Sequence, residues 1–132
     1  SIQTKVSNSE QKYVDSIVGE AGGEGYEGML AVASAIRNRM KVPYYKKDPL
    51  RGVFGKNASH IKKEKSEVFV TARKAWKDSL SKDTVNGAYL WGNASDVSLW
   101  KLQLKRNPNF WFKNVEQCAQ VGGHYFFKDK RK

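Results

Sequence analysis

The chain has 132 residues, 39% hydrophobic and 12% aromatic, which suffices for one domain with one core and excludes a disordered tail. Its net charge of +11, from 24 Lys and Arg against 13 Asp and Glu, favours polyanionic partners: nucleic acid, or the anionic polymers and peptide carboxylates of a cell envelope. No apolar run approaches 18 residues, so no membrane span is expected, and the single cysteine, Cys118, excludes an internal disulfide.

Residues 1–8 are polar and read as a short arm. Residues 9–21 read as a helix with Ser9 as N-cap, because Val14, Ile17, Val18 and Ala21 recur at helical spacing. Residues 25–40 read as a second helix on Met29, Val32, Ala33, Ile36 and Met40. It ends in Arg37-Asn38-Arg39, where basic side chains suit the helix dipole. Residues 41–63 hold Pro43, Pro49, Gly52, Gly55 and many lysines, and read as irregular, with Val53-Phe54 as anchor. A loop this long in a compact domain argues for a functional role.

Residues 64–81 predict a third helix with Val68, Ala72, Ala75, Trp76 and Leu80 inward and a solvated charged face. Residues 85–92 predict a strand, 93–117 read as mixed, and 120–127 predict a closing strand that pairs with 85–92. Residues 128–132 read as a flexible end. No repeat, linker or second domain is visible, so residues 1–132 read as a single domain.

The most informative segment is Gly19-Glu20-Ala21-Gly22-Gly23-Glu24-Gly25-Tyr26-Glu27-Gly28, between the first two helices. Glu20 falls at the C-terminal end of the first, where the dipole disfavours an anion by about 0.3–1 kcal/mol. Partial desolvation there would raise its pKa, as a general acid at neutral pH requires. Glu27 falls in the first turn of the next helix, where a carboxylate is stabilised. Gly22 and Gly23 are positioned to supply a left-handed helix end and room for a ligand.

The stretch from Ile17 to Arg39, IVGEAGGEGYEGMLAVASAIRNR, resembles the opening of SleB/CwlJ-type cell-wall hydrolase domains. Gly87-Ala88-Tyr89-Leu90-Trp91-Gly92-Asn93 resembles that family's Gly-Ala-Leu-Tyr-Tyr-Phe-Asn strand. Val121-Gly122-Gly123-His124-Tyr125-Phe126-Phe127 resembles its closing Gly-x-His-x-Phe strand. The order and spacing agree over about residues 10–127. The resemblance implies a lysozyme-like α+β fold, mainly helical, with a small antiparallel sheet flanking the cleft. It also implies a peptidoglycan lytic transglycosylase, whose catalytic glutamate maps onto Glu20.

In that chemistry one glutamate acts first as acid and then as base. The muramyl O6 of the substrate closes a 1,6-anhydro ring, so no second carboxylate is needed. A two-carboxylate scheme would draw on Glu24, Glu27 or Asp96. Glu24, Tyr89, Trp91, Asn93 and His124 are the substrate-binding candidates, with Trp100 a further aromatic. Strand alternation predicts that Tyr89 and Trp91 share a face, so both meet the cleft or neither does.

Cys118 reads as a half-buried structural thiol, although a catalytic thiol six residues before His124 is conceivable. With two His and one Cys, no metal site and no cofactor are expected.

The chain departs from the family at Ala94, where proline is usual. It departs again around Gly52-Val53-Phe54-Gly55, which lacks the usual Tyr-Gln-Pro-x-x-Phe continuation. That loop borders the family's cleft, so it bears on substrate preference and on activity.

The leading expectation is therefore a monomeric enzyme of the cell wall or a phage lysin, or a spore-cortex enzyme. It would cut the MurNAc–GlcNAc β-1,4 bond of peptidoglycan strands and meet anionic wall polymers. A hydrolytic muramidase or glucosaminidase is the near alternative. A non-enzymatic basic binder of cell wall or nucleic acid is the distant one; the latter lacks any nucleic-acid motif. No secretory pattern opens the chain, which leaves the export route open.

Overall fold

The computed structural model describes residues 6–53 and 66–131. Helices α1 (Gln11–Ala21), α2 (Gly25–Arg39) and α3 (Glu67–Asp78) pack against one another. Strand β1 (Leu90–Asn93) leads directly into α4 (Ala94–Arg106). A 3₁₀ turn at Trp111–Asn114 then precedes the hairpin of β2 (Val115–Val121) and β3 (His124–Asp129). The antiparallel sheet has the order β1-β3-β2, with Trp91 opposite Phe126 and Asn93 opposite His124.

The main core lies between the three helices and one sheet face. Val14, Ile17, Val32, Ile36, Ala72 and Trp76 are buried there as the periodicity predicts. Val68 is only half-buried, and Phe69 takes the inward position. Leu80 lies past the end of α3 and is exposed, because the helix stops at Asp78. Val53 does anchor its loop in the core, whereas Phe54 and Gly55 lie outside the described residues. Trp76 ties the bundle together. Tyr13 stacks on it at 4.8 Å, Arg37 lies 3.4 Å from its ring centre, and its indole N–H donates to Glu10 at 2.7 Å.

The opposite sheet face is covered by α4 and the 3₁₀ turn, through Val97, Trp100, Phe112 and Phe127. A Cβ on Gly92 would overlap the Trp100 ring, so a glycine lets this helix close onto β1.

Several local expectations are corrected. Glu10, not Ser9, stands at the N-cap of α1, and no side chain caps that helix. Gly22 keeps right-handed helical angles, and the positive φ of this segment belongs to Gly25, at +74°, which turns the chain into α2. Lys128 and Asp129, expected in a loose tail, complete β3. The strand expected from residue 85 begins at Leu90, since Val85–Gly87 form a turn with φ positive at Asn86 and Gly87. The region read as mixed contains α4 and the start of β2, which runs on to Val121, so the closing strand expected from residue 120 begins at His124.

Candidate active site

Glu20 occupies the last turn of α1, half-buried. The helix core formed by Val14, Ile17, Val18 and Ala21 fixes its direction, toward β1. There the Trp91 indole N–H donates to Glu20 Oε1 at 2.8 Å. An indole N–H can only donate, so Oε1 is the acceptor and Oε2 is the oxygen that this bond leaves open. One held oxygen and one open oxygen is a geometry in which a carboxyl group can exchange a proton with a ligand.

Trp91 is itself held. Its ring is buried, and the Arg39 guanidinium lies 4.5 Å from its centre. Tyr89 stands one residue before β1, with its N–H still donating to Phe127 of β3 at 3.0 Å. Its hydroxyl accepts the Asp129 N–H at 2.9 Å, and its ring stands 6.1 Å from Tyr45. It lines a hollow of about 450 Å³ with Tyr44, Tyr45, Leu90, Trp111 and Arg131, and Glu20 is not among the walls. Of the two aromatics, Trp91 bonds Glu20 and Tyr89 bonds the Asp129 main chain.

Glu24 and His124 meet at the other end of β1. Glu24 Oε1 accepts the Gly123 N–H at 2.8 Å. His124 Nδ1 lies 2.6 Å from Glu24 Oε2, close enough for an ion pair although off hydrogen-bond geometry. Gly122 permits this approach twice over: its φ is +58°, and a Cβ there would overlap Glu24 Oε1. Glu24 Oε1 is thereby bonded to the β2–β3 turn, and Oε2 faces His124.

Asn93 caps α4. Its Oδ1 accepts the Asp96 N–H at 2.8 Å while Asp96 accepts the Asn93 N–H at 3.0 Å, a reciprocal capping box. Of the other carboxylates considered as a second acid, Asp96 is thus occupied, and Glu27 is exposed in the first turn of α2. Ala94 is the first residue of α4, a position that proline also tolerates, so this departure from the family costs no backbone hydrogen bond. Trp100 packs against Trp111, Phe112 and Phe127 on the far sheet face.

Cys118 is half-buried on β2, and burial pushes its thiol pKa up, away from nucleophilic thiolate. No group of three or more His, Cys, Asp or Glu among the described residues could hold a metal ion. No described helix is long and apolar enough to cross a membrane.

Sequence reasoning did not single out Arg39 as part of this site. Its place in a basic last turn gave it a sufficient explanation, and only the fold brings it against Trp91.

Residues 23–127 match the family described as Cell Wall Hydrolase. The chain belongs to the cell wall hydrolase family. The matched span includes Glu24, Trp91, Asn93 and His124, and begins three residues after Glu20. This hydrolase-family chain is 27% identical over 121 residues to the spore cortex-lytic enzyme of Oceanobacillus iheyensis. That alignment takes in 92% of the chain but 42% of the relative, so the chain spans less than half the relative's length.

Among solved structures it is similar to the catalytic domain of the germination-specific lytic transglycosylase SleB from Bacillus anthracis. The TM-score is 0.64 at 24% identity, covering 96% of this chain and 100% of that one. The catalytic domain of the Bacillus cereus SleB protein gives 0.63 at 23% identity, covering 96% and 95%. The lysozyme-like α+β fold expected from the resemblance is the fold this family member has.

Proposed function

We propose that this domain is a peptidoglycan lytic transglycosylase that cuts the MurNAc–GlcNAc β-1,4 bond with Glu20 as its single acid/base. The observation that carries the reading is the Trp91–Glu20 hydrogen bond, which leaves Oε2 to hold the proton. In the first step Oε2 gives that proton to the glycosidic oxygen, and the C1–O bond breaks through an oxocarbenium-like state. The Glu20 carboxylate then takes the proton of the muramyl O6 hydroxyl, whose oxygen bonds C1 and closes the 1,6-anhydro ring. The enzyme ends as it began.

The place of Glu24, with Oε1 bonded to the Gly123 N–H and Oε2 facing His124, supports a scheme with one working carboxylate. The names of the relatives make spore cortex peptidoglycan the first substrate to try. Such a reaction takes place outside the cytoplasm, and the +11 charge suits a matrix of anionic wall polymers.

The test is a digest of insoluble peptidoglycan, with soluble products read by mass spectrometry and Glu20→Gln as control. Products with 1,6-anhydromuramyl ends, absent from the control, are expected. Reducing ends would mean a hydrolase that delivers water. Pelleting with walls without releasing fragments would mean a binding module. Salt-sensitive DNA binding unchanged by Glu20→Gln, without wall cleavage, would favour the nucleic-acid reading.

A further inference from the structure

Arg39 closes α2 and is 6% exposed, so its charge is held out of water. Among the described residues its hydrogen bonds all go to main-chain carbonyls: Nε to Tyr89 at 2.7 Å, and Nη1 to Pro49 at 3.0 Å and to Arg51 at 2.9 Å. None of these partners is a carboxylate. The guanidinium also lies 4.2 Å from the Tyr45 ring centre and 4.5 Å from that of Trp91. Burying a cation is costly, and tying a loop to a strand does not require one. A planar cation against an indole is a different matter, and arginine suits it where lysine does not.

The indole in question is the one that donates to Glu20. We infer that Arg39 is a positioning residue for Glu20: it fixes the Trp91 ring so that Nε1–H stays aimed at Oε1, and it holds a positive charge beside the acid. The inference rests on Glu20 being the acid/base. Its chemical sense lies in the proton transfer. Once Oε2 has given up its proton, the carboxylate is the species that the indole N–H and the guanidinium both stabilise. The charges facing Arg39 agree with this. Burial draws its pKa down, and Tyr45, Glu20 and Asp48 push it back up.

The experiment compares Arg39→Lys, Trp91→Phe and the double variant on soluble, uncrosslinked glycan strands, with melting curves to confirm folding. Each single change is expected to lower kcat about tenfold or more and leave KM within about twofold. The double variant is expected to fall no more than about threefold below the worse single one, because Arg39 acts through Trp91. Losses that multiply would overturn the inference and leave Arg39 as a tether for residues 49–51.

A second measurement needs neither turnover nor an Arg39 variant. In proton–nitrogen NMR spectra, Glu20→Gln should shift both the Trp91 indole and the Arg39 Nε–H resonances. An unmoved Arg39 signal would sink the inference even if the domain cleaves peptidoglycan through Glu20. If the wild-type domain cleaves nothing, the functional reading fails, and the NMR result still decides whether Arg39 and Glu20 are linked.

Discussion

Trp91 donates its indole N–H to Glu20 across the gap between β1 and the end of α1, 71 residues apart in the chain. A hydrogen bond to a charged group contributes about 1.5–3 kcal/mol. Trp91→Phe keeps most of the buried ring and removes the donor. We expect a loss of about 10- to 100-fold in the rate of fragment release, since about 1.4 kcal/mol is tenfold in rate. A variant that cleaves at the parent rate would show that Glu20 does not depend on this donor.

Glu24 differs from Glu20 in having one oxygen bonded to the β2–β3 turn and the other against His124. Glu24→Gln retains an acceptor for the Gly123 N–H and loses the charge opposite His124. Its cleavage rate should fall by less than about tenfold, one hydrogen-bond equivalent of about 1 kcal/mol. If it abolished cleavage as fully as Glu20→Gln, Glu24 would be a second working acid and the hydrolytic alternative would gain. Gly122→Ala meets both a positive φ and Glu24 Oε1, and should cost about 1–3 kcal/mol in unfolding experiments.

Asn93 can be assigned to cap or cleft by separating stability from turnover. Asn93→Ala should cost about 1 kcal/mol of stability through loss of the capping box. Asn93→Ser or Asn93→Asp should restore the melting temperature, because both side chains cap well. Cleavage that follows the melting temperature across the three variants makes Asn93 a cap. Cleavage lost in Asn93→Ser at full stability would give it a second role at the substrate.

Two carboxyls link stability to pH. Glu10 is held below its ordinary 4.5, chiefly by the Trp76 indole N–H, and Asp78 below its ordinary 3.8, chiefly by Lys74 and then by the Tyr26 hydroxyl. A depressed folded pKa means that the unfolded chain binds the proton first. The stabilisation is therefore present above the ordinary value and is lost as pH falls through the folded one. Glu10→Gln should melt below the parent at pH 7, and the two curves should converge as pH drops well under 4.5. A constant gap from pH 7 down to acid would remove Glu10 from the account.

The helical half of the fold was readable because its signal is local. Val14, Ile17, Val32 and Ile36 mark their faces by spacing alone, and all four are fully buried. The α4 helix was hidden although a signal existed: the Asn93-x-x-Asp96 box, followed by Val97, Trp100 and Leu104 at helical spacing. Exposed Leu99 and Leu102 blur that stripe. Strand β2 was hidden for another reason. A bulge between Gln117 and Ala119 breaks its alternation, so its inward residues do not recur at every second position.

The position of Glu20 at a helix end beside glycines follows from the sequence, because helix periodicity and terminators act within a few residues. The resemblance that assigned Glu20 its role was carried by that same short segment. What holds Glu20 is a matter of tertiary structure alone. Trp91 reaches it, and Arg39 reaches Trp91, only because β1 pairs with β3 and packs against α2, and nothing in their local sequence distinguishes an indole that donates to a carboxylate from one that fills a core. Tyr89 shows the same limit: only Leu90 separates it from Trp91, yet its hydroxyl meets the Asp129 N–H and not Glu20. Local spacing sets which residues can share a face. Which of them meet a given carboxylate is set by contacts between segments far apart in the chain, and those exist only once the core has formed.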